Sequence, residues 1–498
     1  MAYVLGLDAG SSTIKAACFD MQGRLLSVAS RRTPLSRAGG GRVEADPDLC
    51  WTQACAVLRE ARENSGVASK DILGLGLTAA MVGLWLLDKS GAPIRPGINW
   101  EDSRTQPLIE RMIAQRPQLM SEIFACSGSV MQQGCTLPLL AELSKTEPDS
   151  LERAHAAVGY KDFLRARLTG RIATDRTEAS VAPGDTRTQS GSQEMRRLFG
   201  LERYEHLFPQ PLDSSQEAGQ LTAEAAVLTG LPEGLPVAVG AGDVPAMVIG
   251  AGGLTPGSAT AVLGTTCMLG LVCETPIFTP RDLGLLFSLP GGAWYRAMVN
   301  VAGTLNVDWA MGLLAKELVG LPDGFDRLNA EIAAVPIGAR GVSYLPYLSE
   351  SGIIAPVADP LARAQFSGLA PVHGRAEMLR AVFEGIAFAM SDLADALQIA
   401  PETPVILTGG GSNSTLWCDM IADVLGCEIH VPDGSEFGAR GAAMLAAVMV
   451  GAHADIRTAS ESLRRLGMRQ HRPGSANSAA WRNARARYID CRDKLLNI

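Results

Sequence analysis

The chain of 498 residues is poor in lysine and in aromatic side chains. Seven of its 44 basic residues are lysine, aromatic residues make up 5% of the chain, and the net charge is −8. Proteins that bind nucleic acids through the phosphate backbone present a basic face, and no run of lysine and arginine provides one here. The composition therefore argues against a nucleic-acid partner.

Paired cysteine motifs are also missing. The ten cysteines are scattered, none forms a C-x-x-C pair, and the six histidines do not lie beside paired cysteines. We therefore expect no structural zinc site, and reduced thiols in a cytoplasmic protein are the simplest interpretation. The first residues, MAYVLGLDAG, lack the basic segment and the long apolar core of a signal peptide.

One long uncharged stretch tests whether the chain enters a membrane. It runs for 30 residues, from Val244 to Cys273, and contains six glycines and two prolines among several serines and threonines. This composition suits strands and turns better than a helix in lipid. We therefore expect no membrane-spanning segment.

Glycine, by contrast, is abundant. It supplies 53 of 498 residues (53/498, about 11%), against roughly 7% in an average protein. Glycine serves where the backbone turns sharply or approaches a ligand. The positions of the glycines are therefore informative about function.

Short apolar runs and helical patterns alternate along the chain. The predicted strands cover residues 3–7, 14–20, 25–30, 71–79, 84–88, 236–243, 259–266 and 405–411. The predicted helices cover residues 47–62, with Asp46 as cap, 377–397 and 414–426. This alternation predicts an α/β architecture with ligands at the strand ends.

A strand, a glycine-rich turn and a second strand occur near residues 3–20 and again near 236–270. The repetition suggests two related domains with a boundary near residues 245–255. We predict domains at 1–248 and 249–451, followed by a helical tail at 452–498.

Two turns of similar composition follow predicted strands, one in each half. The first is DAGSSTIK, Asp8 to Lys15, and the second is GTT, Gly264 to Thr266. Main-chain amides of such turns bind phosphate oxygens, and an adjacent acid binds Mg²⁺ through water. An ordinary hairpin turn is the alternative for each turn taken singly. The pair is more specific than either turn.

A third glycine-rich segment, TGGGSNS, runs from Thr408 to Ser414 between a strand and a helix. Its bare backbone would admit a nucleotide beside the helix N-terminus. No third glycine completes G-x-G-x-x-G, so evidence for a dinucleotide site is weak. The chain contains no G-x-x-x-x-G-K-[ST] segment, which excludes P-loop chemistry.

Two further segments carry acidic residues. Asp243, in GAGDVPAM, is followed by the uncharged stretch and suits a general base that accepts a hydroxyl proton; a helix cap is the alternative. Asp102 and Arg104, in NWEDSR, suit anchors for ligand hydroxyl groups, with a solvated loop as the alternative.

Taken in this order, the motifs resemble the FGGY family of carbohydrate kinases, and its xylulokinase-like members in particular. The most specific segment is AQFSGL (Ala364 to Leu369), which seven intervening residues separate from EMLRAVFE (Glu377 to Glu384). Other similar segments are YKDFLRARLTG (160–170) with Thr174 and Asp175, LPYLS (345–349) and GARGAA (438–443). The resemblance implies an actin-like or hexokinase-like (ribonuclease H-like) fold of two domains with a cleft between them.

The resemblance also implies roles for individual residues. Asp8 would be the Mg²⁺-linked acid and Asp243 the catalytic base, while Met81, Asp102, Arg104 and Asp243 would contact the sugar. The residues implied in ATP binding lie in or beside glycine-rich turns: Gly10, Ser11, Ser12, Thr13, Gly264, Thr265, Thr266, Gly303, Gly410, Gly411 and Ser414.

Four segments depart from the xylulokinase pattern. Ala80 to Gly83 read AMVG instead of Gln-Met-His-Gly, and Trp100 to Asp102 read WED instead of Trp-Asn-Asp. Pro138 to Glu142 lack the usual Lys and Trp, and Glu350 to Ile354 replace a Gly-Glu-Arg-Thr-Pro segment. The departures fall on the sugar side and leave the nucleotide side intact.

We therefore expect an ATP- and Mg²⁺-dependent kinase that phosphorylates a small ketose or polyol such as D-xylulose or a related pentulose. L-Xylulose, L-ribulose, erythritol and glycerol are alternative substrates. A non-catalytic actin-fold protein that binds nucleotide or sugar and a dinucleotide-dependent oxidoreductase are the alternative classes. A homodimer is expected only by analogy with the family.

Overall fold

The computed structural model describes residues 2–349, 352–359 and 361–497. Most of its strands form two mixed sheets of seven strands each. The strands are β1 (Tyr3–Ala9), β2 (Thr13–Asp20), β3 (Leu25–Arg32), β4 (Leu35–Ala38), β5 (Arg42–Ala45), β6 (Ile72–Ala79), β7 (Trp85–Leu87), β8 (Gly97–Ile98), β9 (Ala156–Val158), β10 (Thr174–Asp175), β11 (Pro211–Leu212), β12 (Glu217–Gln220), β13 (Pro236–Ala238), β14 (Ala241–Gly242), β15 (Ala259–Leu263), β16 (Cys267–Cys273), β17 (Leu285–Leu289), β18 (Ala293–Asn300), β19 (Ser343–Leu345), β20 (Gln365–Ser367), β21 (Val405–Thr408), β22 (Ile429–Pro432) and β23 (Met468–His471).

Helices cover both sheets and connect their strands. The α-helices are α1 (Pro47–Asn64), α2 (Gln106–Gln115), α3 (Leu119–Ser127), α4 (Thr136–Thr146), α5 (Pro148–Arg153), α6 (Tyr160–Thr169), α7 (Arg176–Val181), α8 (Gln193–Leu198), α9 (Ala223–Thr229), α10 (Asp243–Gly250), α11 (Leu305–Leu314), α12 (Gly324–Ala333), α13 (Arg375–Leu397), α14 (Thr415–Leu425), α15 (Phe437–Met449), α16 (Ile456–Leu463) and α17 (Ser478–Leu496). Among the described residues, no helix combines the length and apolar character needed to cross a bilayer.

The two sheets begin in the same way. In the first sheet, β1 pairs antiparallel with β2 and parallel with β6. In the second, β15 pairs antiparallel with β16 and parallel with β21. The strand orders are β12-β13-β6-β1-β2-β3, with β14 also on β6, and β17-β18-β16-β15-β21-β22-β23. The predicted α/β class is therefore confirmed.

Local sequence explains why the first helix begins where it does. The Asp46 carboxyl accepts hydrogen bonds from the amides of Asp48 and Leu49, at 2.9 and 3.0 Å, and Pro47 occupies the first helical position. Proline is tolerated there because that amide has no partner within the helix. The cap satisfies two of the donors that a helix start leaves free.

Two expectations about the strands need correction. The sequence pattern groups residues 236–243 with the second strand–turn–strand segment, near 236–270, but β13 and β14 pair with β6 of the first sheet. Residues 452–498 are not only helical, because β23 pairs with β22 at the edge of the second sheet. Helix α17 then buries Trp481 and Tyr488 in the second core. Strand pairing between distant segments cannot be read from local periodicity, which accounts for both errors.

Bare backbone lets α15 pack closely on the first sheet. A Cβ atom on Gly6 of β1 would lie 1.9 Å from the carbonyl oxygen of Ala439, and one on Gly76 of β6 would lie 1.8 Å from that of Ala442. Helix α15 follows β22 of the second sheet in the chain, yet it rests on the first sheet. Its contact fixes the two halves against each other.

Helices α10 and α15 approach each other in the same way. A Cβ atom on Gly441 of α15 would lie 1.8 Å from the carbonyl oxygen of Ala246 in α10, and one on Gly250 would lie 1.9 Å from that of Phe437. No side chain larger than hydrogen fits at these positions unless the backbone moves. The crossing of α10 and α15 therefore depends on glycine.

Gly441→Ala is expected to lower the free energy of unfolding by about 1–3 kcal/mol, because the added methyl group overpacks a backbone contact. Gly312→Ala is the matched control, since Gly312 also lies in a helix but a Cβ atom there meets nothing within 4 Å. The control is expected to gain up to about 1 kcal/mol from helix propensity. Urea or thermal unfolding measures both, and equal effects of the two variants would contradict this packing.

Candidate active site

Asp8 and Asp243 are acidic groups at the crossing of β1, α10 and α15, and Glu436 lies just before α15. Asp8 lies next to the end of β1, and a Cβ atom on Gly438 of α15 would lie 2.3 Å from its Oδ2 atom. Burial raises the pKa of Asp8 to about 7; the charges of Asp243 and Glu436 add to the increase and that of Lys15 opposes it. The start of α15 is thus pressed directly against this carboxyl group.

Asp243 is the first residue of α10 and not the residue that caps it. Gly242 is the cap position, and Asp243 Oδ1 accepts the Val244 amide at 2.9 Å. Burial raises the pKa of Asp243 to about 6, against hydrogen bonds from backbone amides that include those of Val244 and Met81. A half-buried carboxyl group with this pKa is suited to accepting a proton near neutral pH.

The first turn, Gly10 to Thr13, joins β1 to β2 directly after Asp8. The Gly10 amide donates to the Thr13 carbonyl at 2.9 Å, which closes the turn. Ser11 Oγ accepts a hydrogen bond from Trp100 Nε1 at 2.8 Å, while Ser12 is exposed. The turn therefore contacts the loop that carries Trp100, Asp102 and Arg104.

The second turn, Gly264 to Thr266, joins β15 to β16 in the equivalent position of the second sheet. The Gly264 amide donates to the Thr266 carbonyl at 3.0 Å, and both threonines are exposed. The Gly303 amide donates to the Thr265 carbonyl at 2.6 Å. A Cβ atom on Gly303 would lie 2.5 Å from the Gly264 carbonyl oxygen, so glycine is required for this approach.

The glycine loop, Gly409 to Gly411, follows β21 beside the second turn. Gly409 has φ +92°, and a Cβ atom there would lie 2.6 Å from the Leu263 carbonyl oxygen. A Cβ atom on Gly410 would meet nothing within 4 Å, so that residue borders open space. Thr408 Oγ1, just before this loop, lies 3.8 Å from Met247 Sδ of α10. The helix that begins with Asp243 therefore reaches the glycine loop.

Ser414 has a structural role in this region. Its Oγ accepts the Trp417 amide at 3.2 Å as the cap of α14 and contacts Asn329 Oδ1 at 3.1 Å. Both contacts use the hydroxyl group of Ser414. The structure thus brings Gly264, Gly303 and Gly410 together and shows Ser414 already engaged.

Met81 lies directly against the start of α10. A Cβ atom on Gly242 would lie 2.4 Å from Met81 Cγ and Sδ. Met81, Ala80, Val82, Asn99 and Trp100 are among the residues that line a small cavity at this point. The 80–83 loop, Ala80 to Gly83, therefore forms a mainly apolar wall next to Asp243.

Asp102 and Arg104 bind each other through most of their polar atoms. Arg104 donates from Nε and Nη2 to the two carboxyl oxygens of Asp102, both at 2.8 Å, and from Nη2 to Glu44 at 2.6 Å. Asp102 also accepts the Val43 amide at 2.7 Å and is only 1% exposed. The geometry makes this pair an anchor for the loop that presents Trp100.

Sequence reasoning missed several residues of this region. Trp100 is 39% exposed at the cavity, although its side chain was not singled out from the NWEDSR segment. Thr177 and Glu178 of α7 also contact the site backbone, as described below. The only signal for them was their place just after Thr174 and Asp175. Glu350 and Ser351, within the divergent segment 350–354, lie outside the described residues.

A divalent cation would find few protein ligands here. Within the described part of the chain, no group of three or more His, Cys, Asp or Glu side chains is arranged to hold a metal ion. Mg²⁺ bound to nucleotide phosphates keeps several waters and needs only one or two carboxylates. The raised pKa of Asp8 beside Asp243 fits a carboxyl pair that a cation would stabilise in the charged form.

Comparison with known proteins identifies the family. The sequence models of the FGGY family of carbohydrate kinases match residues 3–250 (N-terminal domain) and 259–450 (C-terminal domain). The chain belongs to this family, and it is a carbohydrate kinase, a phosphotransferase with an alcohol group as acceptor. The predicted resemblance, fold class and reaction class are confirmed, and the oxidoreductase alternative is set aside. The domain limits at 248 and 451 remain predictions.

Relatives of similar length support this assignment. The chain is 30% identical over 462 residues to the erythritol kinase of Brucella abortus (strain 2308), covering 90% of this chain and 88% of that one. It is also 30% identical over 455 residues to the xylulose kinase of Bacillus subtilis (strain 168), with the same coverage. The crystal structure of xylulose kinase from Rhodospirillum rubrum matches with TM-score 0.85, 28% identity and 99% coverage of both chains.

Asp8→Asn is expected to stabilise the protein at pH 8 in metal-free buffer. The pKa of Asp8 is about 7 in the folded chain against 3.8 in the reference state. Protonated Asp8 therefore contributes its full stabilisation of the folded chain below pH 4, and this stabilisation is lost as the pH rises through 7. The variant has no such loss, so its melting temperature should exceed that of wild type at pH 8 and approach it at pH 4.5. An equal shift at both pH values would contradict the raised pKa.

Proposed function

We propose that this kinase transfers the γ-phosphoryl group of ATP to a hydroxyl group of a small ketose or polyol, with Asp243 as the general base. The observation that carries this proposal is the place of Asp243. It starts α10 beside the apolar 80–83 loop, and the same helix reaches the end of β21 before the glycine loop. An acceptor in front of Met81 would thus lie between the base and the nucleotide.

The nucleotide side uses main-chain groups. The first turn (Gly10, Ser11, Ser12, Thr13) and the second turn (Gly264, Thr265, Thr266) would bind phosphate oxygens with their amides and hydroxyl groups. Gly410 borders open space that would admit the nucleoside, while Gly303 and Gly411 allow the close packing of this region against the second turn and Leu263. The hydroxyl of Ser414 caps α14, so we assign it to shaping this pocket.

Asp8 is the group best placed to hold Mg²⁺. When bound, the ion would neutralise phosphate charge during transfer. Its protein ligand would be the Asp8 carboxylate, which the first-turn backbone follows directly. Phosphoryl transfer depends mainly on positioning and charge neutralisation, which this arrangement supplies without a covalent intermediate.

Asp243 would take the proton from the acceptor hydroxyl as its oxygen bonds to the γ-phosphorus and the bond to the ADP oxygen breaks. With a pKa of about 6, the group is mostly ionised at neutral pH yet basic enough to accept a proton. Its hydrogen bond from the Val244 amide fixes the orientation of the carboxyl group at the start of α10. Closure of the cleft would exclude water as a competing acceptor.

The sugar side favours a short acceptor with an apolar edge. Ala80, Met81 and Val82 give no polar side chain where the xylulokinase pattern has two, and Trp100 offers a flat face. Asp102 and Arg104 are committed to each other, so we assign them to holding the Trp100 loop. A four- or five-carbon ketose or polyol, such as D-xylulose, a related pentulose or erythritol, fits this wall and the names of the relatives.

The cysteines bear on the cellular compartment of the enzyme. The ten cysteines, which all fall in the described ranges, are free thiols, and we propose a cytoplasmic enzyme that draws on cellular ATP. A homodimer remains a prediction.

Asp243→Asn is expected to retain ATP binding and to lose turnover by about 10²- to 10⁴-fold, the contribution typical of a general base. ADP release measured over ketopentoses, ketohexoses, polyols and aldonates identifies the acceptor, and calorimetry measures ATP binding. The matched control is Asp326→Asn, because Asp326 also lies in the first turn of a helix but is exposed on α12.

The control should keep wild-type turnover. Near-normal turnover by Asp243→Asn would refute the assigned base. ATP binding by wild type without turnover of any acceptor would instead favour a non-catalytic binding protein.

A further inference from the structure

We propose that Glu178 is a positioning residue that holds the 80–83 loop in the shape that receives the acceptor. The inference rests on the proposed function, because it takes this loop to be the wall of the acceptor site. Glu178 Oε1 accepts a hydrogen bond from the Val82 amide at 2.6 Å, across 96 positions of sequence. No other side chain in the described ranges binds this amide.

The backbone of Val82 needs such support. Its φ is +56°, in the left-handed region that glycine and asparagine tolerate and that β-branched residues rarely adopt. Residues keep such conformations only where their surroundings over-determine them. The neighbouring Gly83 is also fixed, since its amide donates to the Gly134 carbonyl at 2.9 Å and its carbonyl accepts Thr136 Oγ1 at 2.8 Å.

The helix that carries Glu178 also binds the other wall of the site. Thr177 Oγ1 accepts the Gly242 amide at 2.9 Å, immediately before Asp243. Two successive residues of α7 therefore hold the base segment and the 80–83 loop. One short helix thus binds both the acceptor wall and the segment that carries the base.

Buried ion pairs keep α7 in place. Asp175 Oδ2 accepts the amide and hydroxyl of Thr177, at 2.9 and 2.7 Å, and the Ser214 hydroxyl at 2.9 Å. Lys161 Nζ lies 3.1 Å from Asp175 Oδ1 and also binds Asp162. The YKDFLRARLTG segment (160–170) and Asp175 have no role in the proposed reaction itself. Their contacts support α7.

Val82 lies between two cavities. Its side chain lines the small cavity with Asn99 and Trp100. Glu178, behind it, lines a second cavity of about 170 Å³ together with Thr136 and Ser192. Removal of the Glu178 carboxyl group would enlarge this rear cavity and release the Val82 amide without opening a hydrophobic core.

Burial favours the neutral form of the Glu178 carboxyl group. Burial and the charge of Asp162 raise its pKa well above the usual value, with Asp175 adding to the increase, while Lys161 and the Val82 amide oppose it. A glutamine at this position keeps an oxygen that accepts the Val82 amide and adds no charge. Glu178→Gln is therefore the conservative variant.

The test is a double-mutant cycle between positions 178 and 82, assayed with ATP and the acceptor that wild type phosphorylates best among the ketopentoses and polyols. Glu178→Ala should raise the KM of the acceptor by up to the order of 10²-fold, as expected for a displaced binding wall. The KM of ATP should stay unchanged, and Glu178→Gln should stay within about threefold of wild type because it keeps the hydrogen bond.

Val82→Asn should reduce the effect of Glu178→Ala on the acceptor KM, because asparagine tolerates the left-handed backbone without the hydrogen bond to Glu178. The factor by which Glu178→Ala raises the acceptor KM should therefore be several-fold smaller in the Val82→Asn variant than in wild type. The same factor should be unchanged in Val82→Ile, whose new side chain is also β-branched. Equal factors in all three backgrounds, or an unchanged KM in Glu178→Ala, would overturn the proposal.

A structural readout separates this proposal from the proposed function. In a crystal structure of Glu178→Ala, the φ of residue 82 should become negative; a positive φ would overturn the proposal even if no acceptor were found. Should Glu178→Ala fail to fold, Val82→Asn alone should melt higher than Val82→Ile because backbone strain is relieved, and a lower melting temperature would overturn it.

Discussion

Direct contact between backbones at the crossing of β1, β6, α10 and α15 is the constraint on which the site depends. Gly6 and Gly76 admit the carbonyl groups of α15, and Gly441 admits that of Ala246 in α10. Because no side chain separates these elements, their relative positions are set by hard-sphere contact. Asp8 lies two residues after Gly6, so the position of this carboxyl group follows from the packing.

The same contact places two carboxyl groups in surroundings that disfavour their charge. Burial raises the pKa of Asp8 to about 7 and that of Asp243 to about 6. Neither group stabilises the fold as an ion; in the proposed mechanism, phosphate-bound Mg²⁺ would hold Asp8 in its charged form and Asp243 would take the proton of the acceptor hydroxyl group. The cost to stability at alkaline pH and the readiness to accept a proton or a cation have one cause, desolvation at the cleft.

The sequence predicted what depends on local chemistry. The first two strands, predicted at 3–7 and 14–20 and observed at 3–9 and 13–20, could be identified together with their turn and the Asp46 cap. Turns and caps each require particular residues, and so do the close approaches at Gly409 and Gly411. The pairing of Asp102 with Arg104 could not, since both the free and the paired state use the same two residues. Glu178 was missed because its partner, the amide of Val82, is invisible in sequence. The pairing of β13 with β6 and of β23 with β22 depends on contacts between distant segments.

We propose that acceptor selectivity depends on one wall, formed by Ala80, Met81, Val82 and Trp100. Helix α7 supports this wall from behind, and the pair of Asp102 and Arg104 supports it from the side. The central claim is that a hydroxyl group placed against this wall receives the γ-phosphoryl group of ATP. The most direct test is phosphorus NMR of the enzyme with ATP, Mg²⁺ and single ketopentoses or polyols. A new phosphomonoester signal that grows in step with ADP is predicted for at least one acceptor. Inorganic phosphate as the only new product, or unchanged ATP with every acceptor, would contradict the account.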